Sequence, residues 1–542
     1  MDDVGGGIKM CLPADRVAIF LRILFSSGQA GCGLLDCSEL ERMKRDLAAL
    51  SGETFDLLVI GGGIFGAGAA RDAALRGWRV ALVEKADFAS GTSSRSSKLI
   101  HGGFRYLEQY AFGLVAEACR ERRILQRIAP HLVRPLPFLL PVYEGDRRSF
   151  TKIRLGMTLY DLMARYRNVT PHQSLSPDAA RAKEPALAPT QVSGLARRGL
   201  RGAVLFYDCQ EDDARFCLEN VIHAAECGAV CANHCEVTGF VTREGRIVAA
   251  RVTDRLKGGE TFEISARAFV NAAGPWVEAV ANLTPFDGRR VALSPTKGVH
   301  LLLPRLTQQH AVSFQSRSAR DGRIMFIIPW GEYSIVGTTD TDWRGDPGQV
   351  RAEPADIDYL LAEVRAVLPG SSVELSDVIT TFAGVRALLH SEVANPSWRS
   401  REYRIVRHGE NLISIAGGKY TTYRAIAEEA VNRVSRLLGT RVAPCRTAET
   451  PLPQHRPPLS GERIADSPVV YASDIAHACE YEMAVTVSDV MRRRTSLALS
   501  RHGGAETAAA VARLMAAHLG WSDDQKSRYL QQYLDEWKQA LP

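Results

Sequence analysis

The chain has 542 residues, 46% of them hydrophobic and 24% charged, the make-up of an ordinary globular protein. A single core stops growing near about 250–300 residues, so two or three folding units are expected. Its 67 basic against 61 acidic residues leave a net charge of +6 spread along the chain, which excludes a nucleic-acid protein relying on a basic stripe but allows a modest pull on anionic lipid or substrate.

Near the start, the longest hydrophobic run is Val17 to Phe25, with Arg22 inside it. A spanning helix needs about 20 apolar residues, so no transmembrane segment is expected; a signal peptide is the weaker alternative, since basic residues precede the short apolar stretch but no convincing small-residue cleavage site follows. From Phe55 the pattern changes. Phe55 to Ile60 is a short run rich in β-formers, a glycine turn follows, a helix is predicted over Ala67–Arg76, Gly77 stops it, and Arg79–Glu84 reads as the next strand. This is a βαβ unit of about 30 residues. Gly61, Gly63 and Gly66 fit the G-x-G-x-x-G pattern: a tight turn, a close approach of backbone to a pyrophosphate, and close packing of helix on strand. The helix N-terminus then faces the phosphates, and Glu84, ending the second strand, meets ribose hydroxyls. The motif alone leaves FAD and NAD open. A flavoprotein that also oxidised NADH would carry a second copy, and the chain has none.

Farther on, strands and helices alternate without repeats. Pro and Gly cluster at Pro130–Pro141 and again at Thr450–Gly461, the candidate junctions, and Ile464–Ala540 shows helical spacing without strand alternation. The 11 cysteines include no C-x-x-C pair, which points to free thiols in a reducing compartment. Cys227, Cys231 and Cys235, with His223 and His234, form the one cluster. The Gly228–Val230 junction reads as a helix end and a strand start, which points such ligands apart, so no metal is expected.

The stretch from Gly91 to Glu108, GTSSRSSKLIHGGFRYLE, narrows the field. With the glycine turn, it closely resembles the FAD-dependent glycerol-3-phosphate dehydrogenases, the respiratory members of the glycine/D-amino-acid oxidase superfamily. The resemblance continues through Asn271–Trp276, Ile328–Trp330, Gly337–Asp340, Ala383–Arg386, Gly417–Arg424, Glu482–Val485 and Arg492–Thr495, covering about residues 55 to 530. Phe65 departs from the family by replacing the asparagine often found in the turn. No cysteine-rich electron-transfer appendage is seen after the helical region, and residues 1–42 match nothing in the family.

The resemblance implies an α/β fold: a Rossmann-like FAD-binding domain, an antiparallel-sheet substrate domain and a helical C-terminal domain. The expected boundaries are an unmatched, disordered extension at 1–42, with Met43 as an alternative initiator; a discontinuous FAD-binding domain at 43–448, with substrate-binding segments around 131–200 and 285–375; and the helical domain at 449–542. It also implies FAD as cofactor and oxidation of sn-glycerol 3-phosphate to dihydroxyacetone phosphate, with a quinone taking the electrons. Oxygen as acceptor, or an amine or amino-acid substrate on the same scaffold, stays open. The protein is then expected in the cytoplasm, in peripheral contact with the inner face of the membrane, with a homodimer among the expected assemblies. Arg492, Arg493 and Arg494 are expected either to meet lipid headgroups or to pair within the fold.

For the site, Thr92, Ser93, Ser94, Ser97 and Lys98 offer hydroxyls and amides to the flavin, together with Gly61, Gly63, Gly66, Glu84, Gly274, Gly418, Thr421 and Thr422. A phosphorylated substrate needs fixed cations, and arginine grips phosphate through two parallel hydrogen bonds. The resemblance places Arg105, Arg386 and Arg401 around the substrate, Lys419 near flavin and substrate, and Tyr106 against the substrate. Only 11 of the 67 basic residues are lysine, which makes Lys419 the more specific signal. Arg105, Arg386, Lys419 and His101 are the expected catalytic set. The base is open between His101 and His300, and a strong cationic field makes one dispensable.

Overall fold

The computed structural model describes residues 43–164, 168–187, 199–256, 258–286, 291–316, 323–368, 370–393 and 395–542, with backbone alone at Arg105, Gln109 and Ser397. The expectations for the first 42 residues fall outside this range. The described residues belong to one unit, Met43–Pro542.

The first sheet has eight strands, six of them in the order Tyr403–His408, Leu412–Gly417, Thr261–Asn271, Thr54–Ile60, Val80–Val83, Val230–Ala232. All neighbours in that row are parallel except the first pair. A parallel strand is covered on both faces, so it must be apolar on both, and Leu57, Leu58 and Val59 are fully buried. Helices Ile64–Leu75, Asp213–Glu226 and Tyr423–Leu438 supply one cover. The hairpin Cys235–Arg243 with Arg246–Asp254 supplies the other. The register pairs Ile60 with both Val83 and Asn271, so three strands end level. Ligands of such sheets bind beyond these carboxyl ends.

The first helix starts at Ile64, three residues before its predicted start, because Ser93 Oγ accepts the Ile64 N–H at 2.9 Å and satisfies an end that the local sequence leaves open. Gly77 follows the helix at φ +85°.

The second sheet has ten strands, antiparallel but for one parallel pair. Its strands come from 134–143, 173–175, 200–210, 296–304, 311–315, 324–330, 333–337 and 341–342, and also from Leu99–Ile100 and Thr380–Arg386. Alternation on Thr296–Pro304 sends Val299, Leu301 and Leu303 into a core with helix Pro354–Val367, and leaves Gly298 and His300 on the other face. Antiparallel pairing sets Thr296 against Arg386 and His300 against Phe382.

After Gly461 the chain is mainly helical (Ala472–Tyr481, Ala505–Leu519, Asp523–Lys538), yet Arg463–Asp466 and Val469–Tyr471 form a hairpin that the helical spacing did not predict. The three arginines do not form a lipid-facing patch. Arg493 Nε and Arg494 Nη1 reach the fully buried Asp87 at 2.5 and 2.8 Å, and Arg492 pairs with Glu536 at 3.1 Å. The cost of burying two guanidiniums is met by carboxylates held in the same low-dielectric interior. No described helix is long and apolar enough to cross a membrane.

Candidate active site

A cavity of about 700 Å³ runs from the level strand ends of the first sheet to the open face of the second. Its first end is the glycine turn. Gly61 sits at φ +105°, and a Cβ there would lie 2.8 Å from the carbonyl oxygen of Ala272. A Cβ on Gly66 would fall 1.8 Å from the Gly61 carbonyl, so helix and turn meet at a spacing only glycine allows. Glu84 Oε2 accepts the Gly62 N–H at 2.7 Å and Oε1 accepts that of Ala86 at 3.0 Å; burial pushes its pKa up. A carboxylate oxygen has lone pairs for more than one donor, so Glu84 ties the turn and still lines the cavity. Beside it, Lys85 Nζ stands 3.7 Å from the centroid of the Trp276 ring. The extended cleft, the unpaired amides of a helix start and the glycine cradle together fit an adenine dinucleotide.

Of the expected cofactor residues, Gly61, Gly63, Glu84, Thr92, Ser93, Ser97, Gly274, Gly418 and Thr421 line this cavity. Thr92 Oγ1 donates to the Val385 carbonyl at 2.6 Å, tying the loop after strand Val80–Val83 of the first sheet to strand Thr380–Arg386 at the cavity wall. Gly66, Ser94, Thr422 and Lys98 are not among the lining residues. Lys98, at φ +55°, turns away from the cavity and buries its ammonium against Asp213.

The second end carries the cations. Arg386 closes strand Thr380–Arg386, and its Nη1 meets Asp340 Oδ1 at 3.1 Å while Nη2 donates to Thr338 Oγ1 at 3.0 Å. Arg401 Nη2 meets the other oxygen, Asp340 Oδ2, at 3.2 Å. Arg323 Nη2 approaches the Asp340 carbonyl at 3.5 Å. Burial opposes the charge on Asp340, yet the charges of Arg386 and Arg401 hold its carboxyl down to about 2. Lys419, on the Gly417–Gly418 turn, sits with Nζ 3.7 Å from the centroid of the buried Tyr106 ring. The Arg105 side chain lies outside the described residues.

The two histidines differ. His101 lines the cavity, with its backbone N–H on Thr421 Oγ1 at 3.2 Å. His300 is 2% exposed, its Nε2 lies 2.8 Å from Ser97 Oγ, and its ring stacks on Phe382 with centroids 4.8 Å apart. Burial, then the charges of Arg386 and Lys98, hold its pKa down to about 3. A ring with one nitrogen on Ser97 and the other sealed from solvent is poorly built to take a substrate proton. Arg323, Thr338 and Asp340 were not singled out as site residues from sequence, although Gly337–Asp340 is among the resembling motifs.

This geometry defines the class: a dinucleotide-binding protein whose cavity has a cationic far end. Residues 56–433 match the family described as FAD dependent oxidoreductase, and residues 413–526 match the C-terminal domain of alpha-glycerophosphate oxidase. A glycerol-3-phosphate dehydrogenase of Synechocystis sp. is 34% identical, the match covering 91% of this chain and 98% of the relative. Glycerol-3-phosphate dehydrogenase 2 of Mycobacterium tuberculosis is 36% identical over 90% and 88%. Alpha-glycerophosphate oxidase of Streptococcus pneumoniae is 34% identical over 74% of each. Among solved structures, the glycerol-3-phosphate dehydrogenase of Bacillus halodurans, complexed with FAD, is similar at a TM-score of 0.72 and 29% identity, over 91% of this chain and 97% of that one. The chain belongs to the FAD-dependent glycerol-3-phosphate dehydrogenase family, and FAD is its cofactor.

Proposed function

We propose that the protein oxidises sn-glycerol 3-phosphate at C2 to dihydroxyacetone phosphate and passes the electrons to a respiratory quinone. The observation that carries this reading is the pair of guanidiniums, Arg386 and Arg401, on the two oxygens of Asp340 in the cavity that takes FAD. A carboxylate substrate is met by one arginine fork, whereas a phosphate presents oxygens to two. When bound, the flavin supplies the acceptor for the hydride that leaves C2. The protein's part is mainly positioning. Arg386 and Arg401 grip the phosphate, Lys419 and Tyr106 border the carbon chain, and Arg105 joins them as the resemblance implies. His101, lining the cavity beside Thr421, takes the hydroxyl proton.

The membrane face we assign to Tyr110, Phe112, Leu155 and Leu162, which are 80%, 43%, 72% and 56% exposed. Lys152 and Arg154 are exposed on the same helix, Phe150–Met163, and supply cations for anionic headgroups. Replacing Leu155 and Leu162 by serine weakens sedimentation with anionic vesicles; unchanged sedimentation rejects this face.

The reaction is tested by measuring dihydroxyacetone phosphate with a soluble quinone analogue, then in air without it. Turnover with the quinone and little peroxide in air supports the reading. Peroxide formed at the same rate moves the assignment to an oxidase. Turnover of glycine or D-amino acids, and none of glycerol 3-phosphate, rejects it.

A further inference from the structure

Asp340 has no part in the chemistry above, yet the cationic end of the cavity is organised around it. Arg386 comes from the end of one strand, Arg401 from the approach to strand Tyr403–His408, and Arg323 from the approach to strand Ile324–Trp330. The guanidiniums of Arg386 and Arg401 converge on the carboxylate of one acid that is 7% exposed, and that of Arg323 approaches its main-chain carbonyl. The turn holding Asp340 cradles Arg386 with three successive residues: Thr338 Oγ1 at 3.0 Å, the Thr339 carbonyl at 3.3 Å and Asp340 Oδ1 at 3.1 Å.

Two guanidiniums in one cavity repel, and each has rotamers that would carry it apart from the other. A carboxylate that gives one oxygen to each fixes their separation before any ligand arrives. Arg401 Nε stays buried without an acceptor, a donor that the protein itself does not match. The charges that act on the Asp340 carboxylate are cationic, those of Arg386, Arg401 and Arg323, so this end of the cavity suits a phosphate monoester, which carries about −1.5 to −2 near neutral pH.

We propose that Asp340 is a positioning and specificity residue: it holds Arg386 and Arg401 at the spacing a dianionic phosphate spans, and so makes the cavity prefer dianions to monoanions. This rests on the reading that the cavity takes a phosphate ester. A dianion bridging both guanidiniums needs the pair in register, whereas a monoanion such as lactate is served by one fork.

The test uses FAD-loaded full-length protein and needs no turnover, since it follows the perturbation of the flavin spectrum on titration with inorganic phosphate and, separately, with L-lactate. Asp340→Asn adds a positive charge to the cavity but frees the two guanidiniums to part, and the loss of register is expected to outweigh the added charge, weakening phosphate by roughly tenfold. Lactate is expected to shift by less than about threefold, because one guanidinium fork remains. Asp340→Glu restores the charge with the carboxyl displaced, so its phosphate affinity falls between wild type and the Asn variant. Equal weakening of both anions, or none, overturns the proposal and leaves Asp340 a fold residue. Should the Asn variant lose FAD, the Glu variant decides: unequal loss supports the clamp and equal loss of both anions rejects it. Wild-type protein that binds phosphate but is not reduced by glycerol 3-phosphate would fail the proposed reaction and leave the clamp standing.

Discussion

Arg386 is held by Thr338 Oγ1, the Thr339 carbonyl and Asp340, which fixes its guanidinium in place while its side chain stays 23% exposed. Lysine keeps the charge and loses the fork. Arg386→Lys is therefore expected to lower kcat/KM for glycerol 3-phosphate about 10-fold, and Arg386→Ala on the order of 10²–10³-fold, as steady-state kinetics with a quinone analogue would show. Asp340 has a depressed folded pKa, about 2, so its contribution is whole above the ordinary carboxylate range and is lost only as pH falls through about 2. The clamp thus stays charged across the neutral range. KM is then expected to rise as pH falls through about 6, where the substrate phosphate takes up its second proton. A KM flat from pH 5 to 8 would contradict this. The resemblance pointed to Arg386 and Lys419 through their motifs and to Arg401 on a shorter match. Asp340 sat in a motif without a role, because a Gly-Thr-Thr-Asp turn after a strand looks like any other turn until its neighbours are known. The Lys98 ammonium lies on Asp213 while the neighbouring Ser97 hydroxyl meets His300, a division that the Ser-Ser-Lys run did not reveal because it depends on partners distant in sequence.

The glycine turn works as an element, with turn, helix start and Glu84 holding one another. Gly66→Ala puts a methyl 1.8 Å from the Gly61 carbonyl, so the turn must open. Flavin content per chain, read from absorbance, is expected to drop to near zero. Gly113→Ala is the control: it lies in helix Phe112–Ile128 with nothing within 4 Å, and it should leave FAD in place and stabilise the chain by about 0.5–1 kcal/mol. Retained flavin in Gly66→Ala would break the account of the cradle. The βαβ unit was legible because strand, turn and helix are adjacent in sequence. The helix start was misplaced because its cap, Ser93, lies 29 residues away. The hairpin at 463–471 was missed for a related reason: strands of four and three residues are too short for alternation to register.

At the scale of the whole molecule, the C-terminal helices are fastened by buried charge. Asp87 takes Arg493 and Arg494, and Thr381 donates both its N–H and its hydroxyl to the Ala540 carbonyl, at 2.8 and 2.9 Å. Asp87→Asn removes the acid that two buried guanidiniums share, leaving Arg493 on Asp489 and Arg494 beside Glu482, and is expected to cost about 1–3 kcal/mol, read from the urea midpoint with FAD bound. No local pattern in the sequence separates this network from an exposed basic stripe, because its acid lies some 400 positions upstream. In the cavity, a dinucleotide end and a cationic end share one space. Anaerobic mixing of the FAD-loaded protein with glycerol 3-phosphate tests this pairing most directly. Loss of the flavin absorbance band is the predicted result, and an unchanged spectrum in folded, flavin-loaded protein would contradict it.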